Sequence, residues 1–220
     1  MNWLQHTVAA FGLERHLSYW MSGGVLLIPI ALVSVGIWLY FVRTRRLLVG
    51  MARESGRLIP AISGLDDDAG AAGILNILGA KQGAMALILR TIMRDVKGGS
   101  TLTDAFVNRQ TQGMNLLRRD IVVLSALTAI APLLGLLGTV IGMTDTFDAV
   151  SRIGGDTGSR VASGISQALI TTQFGLIVAL PGIFGTAYLR KLLRRVENHL
   201  DECRAHVVTL LEQRKRTVPS

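Results

Sequence analysis

The sequence predicts an all-α, polytopic membrane protein with three transmembrane helices and long cytoplasmic helical extensions. Three observations predict it. Half of the 220 residues are hydrophobic and only 17% are charged. The charges cluster, leaving three long uncharged runs, and basic residues collect at alternate ends of those runs.

The first run, Leu17 to Val42, is 26 residues long and is closed by Arg43, Arg45 and Arg46. The second, Ile121 to Thr144, has 24 residues and is entered through Arg118-Arg119-Asp120. The third, Val161 to Leu189, has 29 residues and is closed by Arg190 and Lys191. A hydrocarbon core about 30 Å thick needs about 20 helical residues, so each run is long enough. Three lone spans cannot close a barrel, which leaves helix as the form that satisfies the backbone in lipid.

The formal net charge of +8 follows the same geometry. Residues 43–120 hold 12 basic against 7 acidic residues, and residues 190–220 hold 8 against 4. The excess beside alternate span ends is what the positive-inside rule produces, and a nucleic-acid partner is not expected. The expected order is therefore an outer interfacial helix over 1–16, spans over 17–42, 121–144 and 161–189, cytoplasmic helices over 43–120 and 190–220, and an outer loop over 145–160. The location implied is a bacterial inner membrane, multi-pass, with the N-terminus periplasmic and the C-terminus cytoplasmic. No cleaved secretory leader is expected.

Between the spans the pattern is helical. Leu4, Val8 and Phe11 share one face, and with Trp3, Tyr19 and Trp20 they suit a membrane interface. The first span is expected to continue through Met51, with Pro60, Gly64 and Asp66-Asp67-Asp68 marking a loop. The triple Asp lacks the spacing of a calcium loop and reads as a solvated turn. Met85 to Val96 reads as a helix ended by Gly98-Gly99, and Thr101 with Asp104 reads as a capping start for a helix entering span two. Beyond span three, Leu193, Val196, Leu200, Cys203, Val207 and Leu210 form a heptad-like seam. It suits either self-assembly or packing on the chain's own cytoplasmic helices. The single cysteine, Cys203, excludes an internal disulfide.

Spans two and three hold unusual residues. Thr128, Gly135, Thr139, Gly142 and Thr146 form a stripe of small and hydroxyl side chains, with Gly138 and Gly142 a GxxxG pair. Ser163, Ser166, Gln167, Thr171, Thr172 and Gln173 crowd the outer half of span three, where polar groups facing lipid would be costly. They should face protein or water. Helix–helix adhesion is one reading and a lined conduit the other.

The segment Ala131-Pro132-Leu133-Leu134-Gly135-Leu136-Leu137-Gly138-Thr139-Val140-Ile141-Gly142 resembles the signature of the MotA/TolQ/ExbB proton-channel family, closest to its ExbB branch. Gly164-Ile165-Ser166-Gln167-Ala168-Leu169-Ile170-Thr171-Thr172-Gln173-Phe174-Gly175-Leu176, with Pro181, is similar to that family's third-span motif. The resemblance implies a homo-oligomer, a pentamer, around a pore lined by spans two and three. It implies a one-span ExbD- or TolR-like partner inside the pore and a TonB-like protein receiving the work. Thr139 and Thr172 match the family's pore threonines, and Gln167 stands where well-known ExbB proteins carry glutamate. Gly135, Gly138, Gly142, Pro132 and Gly175 are then pore-helix packing residues.

An amide cannot relay a proton near neutral pH, and spans two and three have no ionisable residue in their interiors. The titrating carboxylate is therefore expected from the partner. Asp145 and Asp148 could gather cations at the outer mouth, or be ordinary solvated acids. Arg118 and Arg119 suit inner-leaflet anchors, or contacts to acidic membrane lipids or a partner's tail. A four-span MotA type does not fit three runs. A TolQ-like role and a non-conducting scaffold remain as alternatives. No HExxH, GxSxG or phosphate loop occurs, so neither enzymatic activity nor a cofactor or metal is expected. The four histidines read as surface residues.

Overall fold

A computed structural model of the chain describes residues 24–64, 70–79, 83–151 and 157–217. Five helices account for nearly all of them: α1 (Leu27–Ser63), α2 (Gly70–Gly79), α3 (Ala84–Lys97), α4 (Leu102–Ser151) and α5 (Thr157–Thr217). Three of these, α1, α4 and α5, are long and apolar enough to cross a membrane. At about 1.5 Å rise per residue, the 37, 50 and 61 residues of α1, α4 and α5 all exceed a bilayer's thickness. Each therefore continues beyond its span. The helices divide between two compact units, one of residues 1–39 and 124–185, the other of residues 40–123 and 186–220.

Several sequence expectations need correction. Pro60 lies inside α1 rather than in a loop. It falls in the last helical turn, where losing one N–H removes a single hydrogen bond, and the Gly64 N–H closes the helix on the Pro60 carbonyl at 3.1 Å. Residues 145–151 and 157–160 are helix rather than loop, because α4 and α5 run on past the apolar stretch. The expected outer helix over 1–16, with Trp3, Leu4, Val8, Phe11, Tyr19 and Trp20, and the triple Asp66–Asp68 lie outside the described residues. Helix α2 was not anticipated; Ile74 and Leu78, four apart and fully buried, are its inward face.

Other expectations hold. The Thr101 hydroxyl accepts the Asp104 N–H at 3.2 Å and donates to the Asp104 carboxylate at 2.6 Å, starting α4. Helix α3 ends with the Gly98 N–H on the Arg94 carbonyl and Gly99 in the left-handed region at φ 98°. The heptad-like seam of α5 resolves in favour of internal packing. Leu193, Val196, Leu200, Cys203 and Val207 are all buried within a single copy of the chain.

The second unit is laced as an aliphatic bundle. In α1 the buried positions Thr44, Leu48, Met51, Ser55, Leu58 and Ile62 recur at spacings of four and three. Ser55 Oγ lies 3.0 Å from the Ala52 carbonyl oxygen and 2.6 Å from His199 Nδ1, so a hydrogen bond joins α1 to α5 here. Arg90 donates to the Leu78 and Gly79 carbonyls, closing the C-terminus of α2. Arg118 of α4 holds Glu197 of α5 with contacts of 2.6 and 3.1 Å. Burial pushes the Cys203 thiol up to about 11, so it stays neutral and unreactive.

Arg109 of α4 grips Asp95 of α3 with both carboxylate oxygens, at 2.6 and 3.1 Å. This hydrogen-bonded pairing holds the Asp95 carboxyl below its ordinary value. A depressed folded-state value contributes stability above the ordinary carboxylate range, and that contribution is lost as pH falls through the folded value. Asp95→Asn should therefore lower stability at neutral pH, with the deficit against wild type shrinking on acidification. Urea titrations of both proteins at neutral and acidic pH would test the convergence.

Candidate functional site

Within the first unit, α4 and α5 meet through atoms that leave no room for side chains. Along α4 the buried positions are Leu124, Thr128, Ala131, Gly135, Gly138, Gly142 and Thr146. Along α5 they include Gly164, Ala168, Thr171, Gly175, Ala179 and Gly182. A methyl group on Gly135 would lie 3.1 Å from both the Thr171 carbonyl oxygen and Thr172 Cα. One on Gly142 would lie 2.8 Å from the Gly164 oxygen, and one on Gly175 only 2.7 Å from the Ala131 oxygen. Gly138 accommodates the Thr171 side chain, Gly164 that of Thr146, and Gly182 that of Thr128. Between helices in lipid there is no hydrophobic drive, so adhesion comes from this close backbone approach.

The threonines on the seam satisfy themselves locally. Thr128 donates to Leu124 O at 2.8 Å, Thr146 to Gly142 O at 2.7 Å, and Thr171 to Ala168 O at 2.9 Å. Of the small-residue stripe, Thr128, Gly135, Gly142 and Thr146 thus lie in the α4–α5 contact, and Thr139 stands beside it. Pro132 is half-buried within α4, one residue from Ala131, whose carbonyl approaches Gly175.

The two motif threonines are placed differently. Thr139 is half-buried and donates to Leu136 O of its own helix at 2.7 Å. Thr172, also half-buried, has its hydroxyl 3.1 Å from Gly135 O on α4 and 3.2 Å from Ala168 O. It therefore joins the seam while keeping one edge open. Gln167 is half-buried, its amide filling the space where a side chain at Gly24 would start, and Gly24 is in the left-handed region at φ 68°. Asp145 and Asp148 are exposed on the last turns of α4.

Outside the seam, Ser163, Ser166 and Gln173 of α5 are exposed, at spacings of three and seven that align them on one face. Among the described residues of the three apolar runs there is no ionisable acid, lysine, arginine or histidine. Sequence reasoning missed Gly164 and Gly182 as seam residues. Their signal was the spacing from Gly175, in register with the heptad-like pattern further along α5.

Three helices long and apolar enough to cross a membrane, two of them joined by a close glycine seam, have the form of a multi-pass membrane protein. Residues 80–202 match the MotA/TolQ/ExbB proton channel family, and the chain belongs to it. It is 41% identical over 88 residues to an ExbB-like protein of Synechocystis, covering 39% of this chain and 34% of that one. An ExbB homolog of Methanothermobacter thermautotrophicus is 30% identical over 166 residues, covering 74% of this chain and 59% of the relative. The Tol-Pal system protein TolQ of Haemophilus influenzae is 34% identical over 99 residues, covering 45% and 41%. The chain thus spans about a third to three-fifths of the length of these relatives.

Proposed function

We propose that the chain is an ExbB-like subunit of an inner-membrane, proton-driven motor for biopolymer transport. Several copies, a pentamer by family resemblance, surround a conduit lined by α4 and α5. A one-span ExbD- or TolR-like partner occupies it, and a TonB-like protein receives the work. The N-terminus is periplasmic and the cationic ends of the spans lie on the cytoplasmic side. The observation that carries this reading is the pair of exposed hydroxyls of Ser163 and Ser166, three residues apart on α5 beside a closed glycine seam. Such groups turned to acyl chains would each be penalised, so another surface or water must meet them.

In this mechanism Thr139 and Thr172 line the conduit, with Gln167 near its outer end. Their hydroxyls and amide orient water and the partner's carboxylate, and that carboxylate carries the proton. The similarity to a TolQ protein supports an envelope-maintenance role on the same machinery. A scaffold that conducts nothing requires neither hydroxyl.

The test is the double substitution Thr139→Val with Thr172→Val, co-reconstituted with the one-span partner in proteoliposomes. Valine keeps the shape and loses the hydroxyls, at a stability cost of about 1 kcal/mol per hydrogen bond. Native mass spectrometry should show the wild-type stoichiometry, while proton flux driven by a pH gradient falls at least roughly tenfold. Undiminished flux would remove the two hydroxyls from the conduit, absence of flux in the wild-type complex would favour the scaffold, and flux through this chain without its partner would place the titrating group elsewhere.

A further inference from the structure

Arg43 of α1 reaches Asp120 of α4 at 3.8 Å, and Arg118 of α4 holds Glu197 of α5 at 2.6 Å. These two ties bring residues 43–46, 118–120 and 190–197 to one level of the second unit. The acids at this level, Asp120 and Glu197, are both engaged. Arg45, Arg46, Arg119, Lys191, Arg194 and Arg195 remain exposed there, with no acid partner among the described residues.

Large apolar side chains are exposed among them: Leu47, Leu116, Val122 and Tyr188, with Leu116 70% and Val122 64% accessible. Uncompensated cations alone would suit any polyanion. Cations interleaved with exposed aliphatic and aromatic groups, at the point where three apolar spans end, suit a surface that is anionic outside and hydrocarbon within. Guanidinium groups can take a phosphodiester bidentately while neighbouring leucines enter the acyl region.

We propose that this belt is a selective site for anionic phospholipid headgroups, retained in preference to zwitterionic ones. It rests on the membrane-spanning reading and is independent of proton conduction. Arg118, with Arg43, serves as the strut that sets the level, and the six uncompensated side chains bind.

The purified chain, without its partner, would be placed in nanodiscs of equal phosphatidylglycerol and phosphatidylcholine. It would then be extracted and its retained lipids counted by native mass spectrometry. Phosphatidylglycerol should be enriched at least about fivefold over the bulk ratio, the factor that the roughly 1 kcal/mol of a single basic side chain at an anionic surface supplies. Retention at the bulk ratio by the wild-type chain overturns the proposal outright. Replacing all six by Gln should abolish the enrichment, whereas Gln at Arg53, Arg57, Arg94 and Lys97, exposed cations away from this level, should leave it unchanged. Equal loss in both sets would also overturn it. Because removing six cations can disturb insertion, Lys in place of the five arginines keeps the charge; it should reduce the enrichment without abolishing it, and unaltered enrichment would exclude bidentate recognition. Proton flux is read on the complex with the partner, so failure of the motor reading and failure of the belt are separable.

Discussion

Gly175→Ala should destabilise the α4–α5 pair by about 2–3 kcal/mol, and Gly175→Val by more, the range expected for forced overpacking. The added methyl would lie 2.7 Å from Ala131 O, 3.1 Å from Gly135 Cα and 3.3 Å from Gly135 N. All three are backbone atoms of α4, so no side chain can rotate out of the way. The helices must part instead. Parting forfeits dispersion along a contact that also includes Gly138, Gly142 and Gly164. Gly50→Ala is the control, since nothing lies within 4 Å of a methyl group there. In a helix interior it should gain about 0.5–1 kcal/mol. Denaturant titration in detergent micelles, followed by circular dichroism, compares the two. A Gly175→Ala protein as stable as the Gly50→Ala protein would show that close backbone approach is not what joins the helices.

The long helices show why part of the fold was legible. The buried positions of α5 keep a spacing near 3.5 residues from Gly164 to Val207, but their chemistry changes along it. From Leu189 onward the seam is Leu, Val and Cys, where burying apolar surface from water drives packing. From Gly164 to Gly182 it is Gly, Ala and Thr, where only fit and close approach can. Apolar runs ended by arginine announce the spans, and alternating spacings announce the seam. Its partner is not announced: the same Leu193-to-Val207 row suits another copy or the chain's own bundle, and burial decided for the latter. Likewise Thr171 and Thr172 are adjacent and chemically identical. One full turn divides among 3.6 residues, and only the packed structure shows Thr171 against Gly138 and Thr172 reaching Gly135 O. Pro60 misled because its usual punctuation is cheap in a final turn.

Glu54→Ala should unlatch α3. This helix has no side-chain cap of its own, since Gly83 occupies the N-cap and no acid stands in the first turn. Its orphan donors are met from outside: the Glu54 carboxylate of α1 accepts the Met85 N–H at 3.1 Å and the Ala86 N–H at 2.8 Å. A negative charge there also faces the positive end of the helix dipole. Removing it leaves two donors unmet, at a cost of about 2–4 kcal/mol. Hydrogen exchange should show protection lost over α3, whose buried face is Met85, Leu89, Ile92 and Met93, ahead of global unfolding. The decisive measurement is a double-mutant cycle. Gly83 is extended at φ 173°, a conformation open to any residue, but a side chain there would collide with the Glu54 carboxylate. Gly83→Ser should therefore destabilise the wild-type protein and stabilise the Glu54→Ala protein, where the space is vacated and the serine hydroxyl can cap the helix locally. The expected coupling is about 2 kcal/mol with a reversal of sign. Additive effects of the two substitutions would mean that Glu54 and Gly83 do not share the one N-terminus, and that α3 is held by its apolar face alone.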